Sequence, residues 1–256
     1  MDTPDTNART RDAHEVDEHR VEYDADGTRL VGHAYVPADA AGPRPAVLVF
    51  PEWWGVTDFP RRRARELAAE GYVALAADMY GEGAVTDDVE EAGRRSADTR
   101  LGAVSRARSR AALQTLLALP QVDADRVAAI GFCFGGDVAL ELARDGAQLR
   151  GVVAFHASLT TGQPAAPDQL RASVLVLHGA EDPLTPPQQV AAFQDEMRAS
   201  RADWQLVAYG NAVHSFTNPE ADTAGIDGVA HDAVAARRAW QAHLAFLAEV
   251  LAPPAD

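Results

Sequence analysis

The sequence predicts an α/β fold whose central sheet is mostly parallel and covered by helices on both faces. Short apolar runs without strict polar–apolar alternation are typical of strands buried on both faces, and helical stretches alternate with them along the chain. The segment "HRVEYDADGTRLVGHAYVP" places the turn signal "DADG" between two alternating runs, which predicts an N-terminal antiparallel hairpin. No repeat or linker divides the chain. We therefore expect a charged, disordered tail over 1–16 and one domain over 17–256.

The elements of this fold follow one another in the order that a layered sheet requires. The predicted strands after the hairpin cover 45–50, 72–78, 126–132, 151–156, 173–179 and 204–210. The predicted helices cover 59–70, 87–119, 136–145, 186–200 and 231–251.

Composition excludes several classes of protein. One cysteine in 256 residues rules out an internal disulfide and any multi-cysteine zinc site. The formal net charge of −15 disfavours nucleic acids and anionic membranes as partners. All 23 basic residues are arginines, so lysine chemistry is excluded. No signal peptide or membrane span is visible, and we expect a cytoplasmic monomer or homodimer that binds a small molecule.

The motif "GFCFGGD", residues 131–137, follows a predicted strand and opens a predicted helix. Functional groups collect at the carboxyl ends of parallel strands, and Gly-x-Cys-x-Gly-Gly in this context is typical of a nucleophile elbow. Glycine is needed at 131 and 135 because larger residues would clash in so sharp a turn. A buried structural cysteine is the simpler alternative, but the glycine frame favours Cys133 as a nucleophile exposed at a helix N-terminus.

Two further residues follow later strands. Asp182 comes after the strand 173–179, where a turn or capping role is the alternative. His214 lies in a polar loop after the strand 204–210. The order Cys133, Asp182, His214 is nucleophile, acid, histidine, as in α/β-hydrolases. His214 would then take the thiol proton while Asp182 orients the imidazole.

The loop "PEWWG" after the strand 45–50 supplies further candidates. An oxyanion hole needs two N–H donors, which we assign to Phe134, the residue after the nucleophile, and to Trp53. Glu52 stands at the mouth of the predicted site, where a functional carboxylate is favoured over an ordinary surface glutamate. Trp54 would line a substrate pocket or cover the sheet end. His156 is equally compatible with pocket lining and with a structural role.

Two further histidines and one run of arginines are expected to have structural roles and no catalytic one. His33 and His178 are expected to be structural. The run "RRRAR" at 61–65 begins a helix and is expected to form a solvated helix face.

In order and spacing, the segments "PEWWGV", "ADMYGEG", "GFCFGGD", "HGAEDP" and "VHSFTNP" resemble the dienelactone hydrolase family over residues 18–250. The resemblance implies an α/β-hydrolase fold, a Cys–His–Asp triad, and no metal or organic cofactor. It also implies a glutamate that controls the protonation of the thiol. The matching positions are Cys133, Asp182 and His214 for the triad, Glu52 for the glutamate, and Trp53 and Phe134 for the oxyanion hole.

Two substrate-binding positions depart from the family pattern. Dienelactone-opening members bind a substrate carboxylate with two arginines, where this chain has Glu82 and Asn218. We therefore predict a cofactor-free hydrolase of a small, preferably neutral ester or lactone, acting through a thioester acyl-enzyme. One alternative is a true carboxymethylenebutenolidase whose carboxylate clamp is relocated, for example to the arginines of 61–65. A non-catalytic ligand-binding protein of the same fold is the alternative from another class.

Overall fold

An eight-stranded sheet organises residues 14–253, the part of the chain that the computed structural model describes. The strands in chain order are β1 Val16–Ala25, β2 Thr28–Pro37, β3 Arg44–Phe50, β4 Val73–Ala76, β5 Val122–Phe132, β6 Gly151–Phe155, β7 Ser173–Gly179 and β8 Trp204–Tyr209. Their order across the sheet is β1-β2-β4-β3-β5-β6-β7-β8. From β4 onward every pairing is parallel, while β1 pairs antiparallel with β2, and β2 with β4. The predicted mostly parallel sheet with an antiparallel N-terminal pair is confirmed.

The N-terminal hairpin begins earlier than the sequence predicts. Val16 already pairs with Pro37 in β1, and the backbone N–H of His14 donates to the Ala69 carbonyl at 3.0 Å. Residues 14–16 therefore belong to the folded part of the chain. The rest of the predicted tail lies outside the described residues.

Helices cover both faces of the sheet. They are α1 Asp58–Ala69, α2 Val89–Thr99, α3 Gly102–Leu117, α4 Phe134–Arg144, α5 Pro187–Ser200 and α6 Ala233–Val250. Buried side chains of α3, α4 and α5 pack with one face of the strands, and those of α1 and α6 pack with the other. Within residues 14–253, no helix combines the length and apolar composition needed to cross a bilayer.

The single helix predicted over 87–119 is wrong, because the chain breaks into α2 and α3. Leu101 adopts an extended conformation, with φ −130° and ψ 165°. Gly102 has φ +83°, in the left-handed region that favours glycine. The break ends α2 at Thr99, and the side chain of the C-cap residue Arg100 turns toward the carboxyl edge of the sheet, where it contacts Ser158.

The strand predicted over 72–78 is shorter than expected because its last residue serves the following loop. Asp78 is fully buried and its carboxylate accepts four backbone hydrogen bonds. The donors are the N–H groups of Val31, Tyr80, Gly81 and Gly83. These bonds fix the "DMYGEG" loop beside the carboxyl ends of β3 and β5.

Candidate active site

Cys133 occupies a strained turn between β5 and α4. Its φ of 52° is unusual for a residue other than glycine. A Cβ atom at Gly131 would lie 1.9 Å from the Gly135 carbonyl oxygen, and one at Gly135 would lie 2.4 Å from the Phe50 oxygen. Both positions therefore require glycine. The sharp turn presents the partly exposed thiol at the start of α4.

Asp182 and His214 form a buried pair at the ends of β7 and β8. The Nδ1 atom of His214 lies 2.8 Å from Oδ2 of Asp182. The other carboxylate oxygen accepts the Leu184 N–H at 2.8 Å, which fixes the acid in its turn. The His214 backbone is held by Gly228, whose carbonyl accepts its N–H at 3.0 Å. His214 Nε2 is buried and bonds to no nitrogen or oxygen atom of residues 14–253, and the Cys133 side chain is the group that interacts with it.

The electrostatic environment of His214 favours its charged form. Burial disfavours an imidazolium, but the Cys133 sulfur and the Asp182 carboxylate outweigh burial and raise the pKa of His214 well above its ordinary value. Because Asp182 engages Nδ1, the free Nε2 is the nitrogen available to exchange a proton. This is the arrangement a histidine needs to act as a general base beside a thiol.

The two expected oxyanion donors lie beside the thiol. Trp53 and Phe134 line the same cavity as Cys133. Phe134 is the first residue of α4, so its N–H lacks an intrahelical acceptor. Neither backbone N–H donates to another described residue. The Tyr80 hydroxyl donates to the Trp53 carbonyl at 2.8 Å and holds that loop in place.

Glu52 is buried on the cavity wall and bound only by neutral donors. Its Oε1 accepts the Ser215 hydroxyl at 3.0 Å, and its Oε2 accepts the Asn218 amide at 2.6 Å. Burial raises the pKa of Glu52, although these two hydrogen bonds and the charge of His214 oppose the shift. Asn218 therefore contacts the glutamate as well as lining the cavity. Sequence reasoning missed Ser215, which directly follows His214 in "VHSF".

The cavity holds about 690 Å³, which suits a small molecule. Trp54, Leu184, Ile226 and Val229 are among its apolar lining residues. Besides His214, the charged residues that line it within the described chain are Glu52, Asp87, Asp137, Glu220 and a single arginine, Arg100. Carboxylates thus outnumber cations around the thiol.

The sequence profile of the dienelactone hydrolase family matches residues 30–251. The chain belongs to the dienelactone hydrolase family. Two similar solved structures are m3DLH, at 46% identity and a TM-score of 0.87, and a dienelactone hydrolase-like promiscuous phosphotriesterase from metagenomic libraries, at 42% and 0.85. Each alignment covers 93% of this chain and 99% of the other. The "Probable 2-oxo-3-(5-oxofuran-2-ylidene)propanoate lactonase" of a Bradyrhizobium species is 30% identical over 80% of this chain and 84% of its own.

Family membership gives the general activity. The chain is a carboxylic ester hydrolase with the α/β-hydrolase fold, and its substrate is a small ester or lactone.

Glu82 does not reach the cavity, so the substrate-binding role expected for it is wrong. Its side chain is 67% exposed and lies 3.6 Å from the Arg29 guanidinium. With φ 56°, Glu82 occupies the outer turn of the loop that Asp78 holds. The motif match with dienelactone-opening members located the position but not the direction of the side chain.

His156 does not line the cavity, so the pocket-lining alternative is wrong. The ring is fully buried beneath the elbow. Its Nδ1 accepts the Cys133 N–H at 3.2 Å, and its Nε2 donates to the Thr217 hydroxyl at 2.8 Å. Burial, with a smaller effect of His214, lowers the pKa of His156 well below its ordinary value. The residue supports the turn as a neutral imidazole.

None of the arginines at 61–65 lines the cavity. Arg61 and Arg65 form ion pairs with Glu18, and Arg62 lies 3.8 Å from Glu220. Arg63 is only 14% exposed, donates to the Thr217 carbonyl at 3.1 Å, and stacks on Trp240 at 4.6 Å. The predicted solvated face is therefore wrong for Arg63, and the run supplies no relocated carboxylate clamp.

His33 and His178, which are expected to be structural, also lie outside the cavity lining. The His33 Nδ1 atom is 3.2 Å from Glu18 Oε1 on the hairpin. His178 is buried within β7. Neither residue lines the space around Cys133.

Proposed function

We propose that the chain hydrolyses a small, uncharged carboxylic ester or lactone through the triad Cys133, His214 and Asp182. The observation that carries this proposal is the 2.8 Å bond between Asp182 and His214 Nδ1, which leaves Nε2 to interact with the Cys133 side chain. The non-catalytic alternative does not account for a complete acid–histidine pair beside a nucleophile elbow.

The reaction begins when His214 Nε2 accepts the Cys133 proton and the thiolate attacks the substrate carbonyl carbon. The tetrahedral oxyanion accepts the N–H groups of Trp53 and Phe134. Cleavage of the C–O bond releases the alcohol, which takes the proton from His214, and leaves a thioester on Cys133. Water, deprotonated by His214, then attacks the thioester. The carboxylic acid leaves and the thiol takes back its proton.

Glu52 acts on this reaction through its charge. The carboxylate is buried beside His214 and accepts hydrogen bonds from Ser215 and Asn218. A negative charge at this position disfavours a second negative charge on Cys133. Such a charge protects the nucleophile, because the thiolate is the form of cysteine that oxidises.

The charge of the cavity favours neutral substrates. Its lining carries four carboxylates and one arginine within the described residues. A carboxymethylenebutenolidase needs cations for the substrate carboxylate, and Arg100 is the remaining candidate. Comparing a neutral ester with a carboxylated dienelactone at low and high salt separates the two activities. A preference for the carboxylated substrate that salt weakens would support the clamp.

Replacing Cys133 with alanine tests the triad directly. We expect the turnover of nitrophenyl acetate to fall by at least about four powers of ten, because a triad nucleophile is lost. Wild-type protein quenched in acid should carry an acetyl group on Cys133 by mass spectrometry. Unchanged turnover in Cys133→Ala would place the reaction elsewhere. Circular dichroism of the variant checks that the fold is intact.

A second candidate activity is the hydrolysis of neutral phosphotriesters. The promiscuous phosphotriesterase is 42% identical to this chain, and a cavity without an unpaired cation suits an uncharged triester. The Cys133 thiolate would displace an aryloxide from phosphorus, and water would cleave the phosphorus–sulfur bond. Release of nitrophenol from paraoxon by wild type, and none by Cys133→Ala, is the expected result. A single turnover that stops at phosphorylated protein would show an inhibitor instead.

We further propose a cytoplasmic location and a monomeric or homodimeric state. The single cysteine is unbonded, and the net charge of −15 disfavours nucleic acids and anionic membranes. Light scattering after size-exclusion chromatography distinguishes the two oligomeric states.

A further inference from the structure

A buried carboxylate stands one helical turn beyond the nucleophile. Asp137 lies in the first turn of α4, four residues after Cys133, and its side chain is 2% exposed. It accepts the Ser158 backbone N–H at 2.9 Å, the Ser158 hydroxyl at 3.0 Å and the Leu159 N–H at 3.3 Å. One turn of helix is about 5.4 Å, so Asp137 lies close to the reacting atoms. The proposed mechanism assigns it no role.

Arg100 pairs with this carboxylate from the end of α2. Its Nε lies 3.0 Å from Asp137 Oδ2, and its Nη2 donates to the hydroxyls of Ser158 at 2.9 Å and Thr160 at 3.1 Å. The side chain is 37% exposed and lines the cavity. Its Nη1 group donates to no described residue, so these hydrogens are available to a ligand.

The Arg100–Asp137 pair offers N–H donors to the cavity while its two opposite charges offset each other. A free guanidinium binds carboxylates strongly and often in bidentate fashion. Burial raises the pKa of the Asp137 carboxyl, and the adjacent Arg100 is the main influence that opposes this shift, followed by Ser158. Arg100 and Ser158 thus favour the carboxylate form against the effect of burial, and the 3.0 Å contact sets the two opposite charges against each other on the cavity wall.

We propose that Asp137 neutralises Arg100 and thereby turns this wall into a hydrogen-bond donor site for an uncharged substrate oxygen, while excluding carboxylates. The occupant is a hydroxyl, carbonyl or ether oxygen in the acyl or alcohol part of the substrate. This deepens the proposed function and rests on ester hydrolysis at Cys133. Arg100 and Asp137 act as a specificity-determining pair.

A purely structural pair makes a different prediction from a specificity pair. If the bond only ties α2 to α4, replacing either partner changes the handling of neutral and anionic ligands equally. If Asp137 masks Arg100, the two replacements act in opposite directions on anions. Asp137→Asn leaves an unmasked cation on the wall, whereas Arg100→Gln leaves an unmasked anion.

Binding of benzoate, measured by isothermal titration calorimetry, tests the masking without any turnover. We expect Asp137→Asn to bind benzoate at least about tenfold more tightly than wild type, which is the low end for a charge-assisted hydrogen bond. Arg100→Gln should bind it more weakly than wild type. The matched control is Asp195→Asn, which frees Arg198 from a 2.7 Å surface pair that does not line the cavity. It makes the same charge change and should leave benzoate binding unaltered.

The kinetic arm uses the ratio of kcat/KM for nitrophenyl hemisuccinate to that for nitrophenyl acetate. This ratio should rise about tenfold in Asp137→Asn, less at high salt, and fall in Arg100→Gln. Shifts of the same sign in both variants, or none, would overturn the proposal. If Asp137→Asn does not fold, a wild-type affinity and ratio in Arg100→Gln overturn it alone. If wild type hydrolyses no ester, the proposed function fails and the benzoate arm still decides the masking.

Discussion

Two buried imidazoles contact the proposed nucleophile, His214 at its side chain and His156 at its backbone N–H, and their partners differ. The ring centroids of His214 and His156 are 5.4 Å apart, in an edge-to-face arrangement. On the cavity side, His214 bonds to the carboxylate of Asp182. On the sheet side, His156 bonds to the backbone N–H of Cys133 and the hydroxyl of Thr217, which are both neutral.

The pKa values of the two rings move in opposite directions. Burial favours the neutral form of both, and the charge of His214 further disfavours a charge on His156. Only His214 has negative partners, Cys133 and Asp182, and they raise its pKa while that of His156 falls. Burial therefore does not decide which histidine is a base. The charged partner decides it, and the histidine that lacks one becomes a support for the turn.

We expect the largest loss of activity when the charged partner of His214 is replaced with a neutral one. In Asp182→Asn the ring loses the carboxylate that separates it from His156, so its pKa should fall and its tautomer is no longer fixed. We expect kcat for nitrophenyl acetate to drop about 10⁴-fold, as for other triads that lose their acid. The measurement is kcat against pH, with the His214 titration followed by NMR. An unchanged kcat would show that His214 works without Asp182.

Replacing His156 should lower the unfolding free energy more than it lowers kcat. In His156→Leu the Cys133 N–H loses one of its two acceptors and Thr217 loses its donor, which should cost about 1–3 kcal/mol of unfolding free energy. His156→Gln, which keeps an acceptor and a donor, should recover part of this loss. Urea unfolding and kcat are the measurements. A loss of kcat as large as in Asp182→Asn, at unchanged stability, would make His156 part of the chemistry.

The lowered pKa of His156 also predicts that its contribution to the stability of the fold depends on pH. The pKa of His156 is lower folded than unfolded, so the unfolded chain binds more protons below about pH 6.5. The stability that His156 contributes is present above that pH and decreases as the pH falls toward its folded pKa. His243, whose pKa is lowered by burial to about 3, acts in the same direction. His156→Gln should therefore lose less stability between pH 7 and 5 than wild type does.

Local sequence was enough to locate the triad residues, and the reason is topological. Each of Cys133, Asp182 and His214 follows a strand of the parallel part of the sheet, and the carboxyl ends of parallel strands share one edge. The elbow glycines add a steric signal, because a sharp strand-to-helix turn leaves no room for a Cβ atom at either position. Residues at strand ends were thus placed near one another before any distance was known.

Residues whose positions depend on contacts far apart in the chain could not be placed in this way. His156 also ends a strand, but a φ of 39° turns it beneath the elbow. Arg100 reaches the cavity only because α2 stops before Gly102, a glycine that would have signalled the break. Asp137 stood in the motif "GFCFGGD", yet its partners Arg100 and Ser158 lie 37 residues before it and 21 after it.

Glu52 offers the smallest and most specific test, because it is a buried carboxylate that binds neither imidazole. Its partners Ser215 and Asn218 are neutral, so Glu52→Gln removes a charge near Cys133 and largely preserves the shape. We expect the thiolate fraction to increase and iodoacetamide to alkylate Cys133 about tenfold faster at neutral pH, which corresponds to about one pKa unit. Alkylation rates across a pH series, at constant ionic strength, give the result.

The control for this variant is Glu220→Gln, a cavity carboxylate that is 57% exposed and lies 3.8 Å from Arg62. Solvent screens much of its charge, although that charge also acts on Glu52, so its alkylation profile should depart from that of wild type less than the profile of Glu52→Gln does. Superimposable profiles for Glu52→Gln and wild type would remove Glu52 from the control of the thiol. A shift in Glu52→Gln alone would show that a carboxylate acts on this thiol through burial and position, in the way that Asp182 acts on His214.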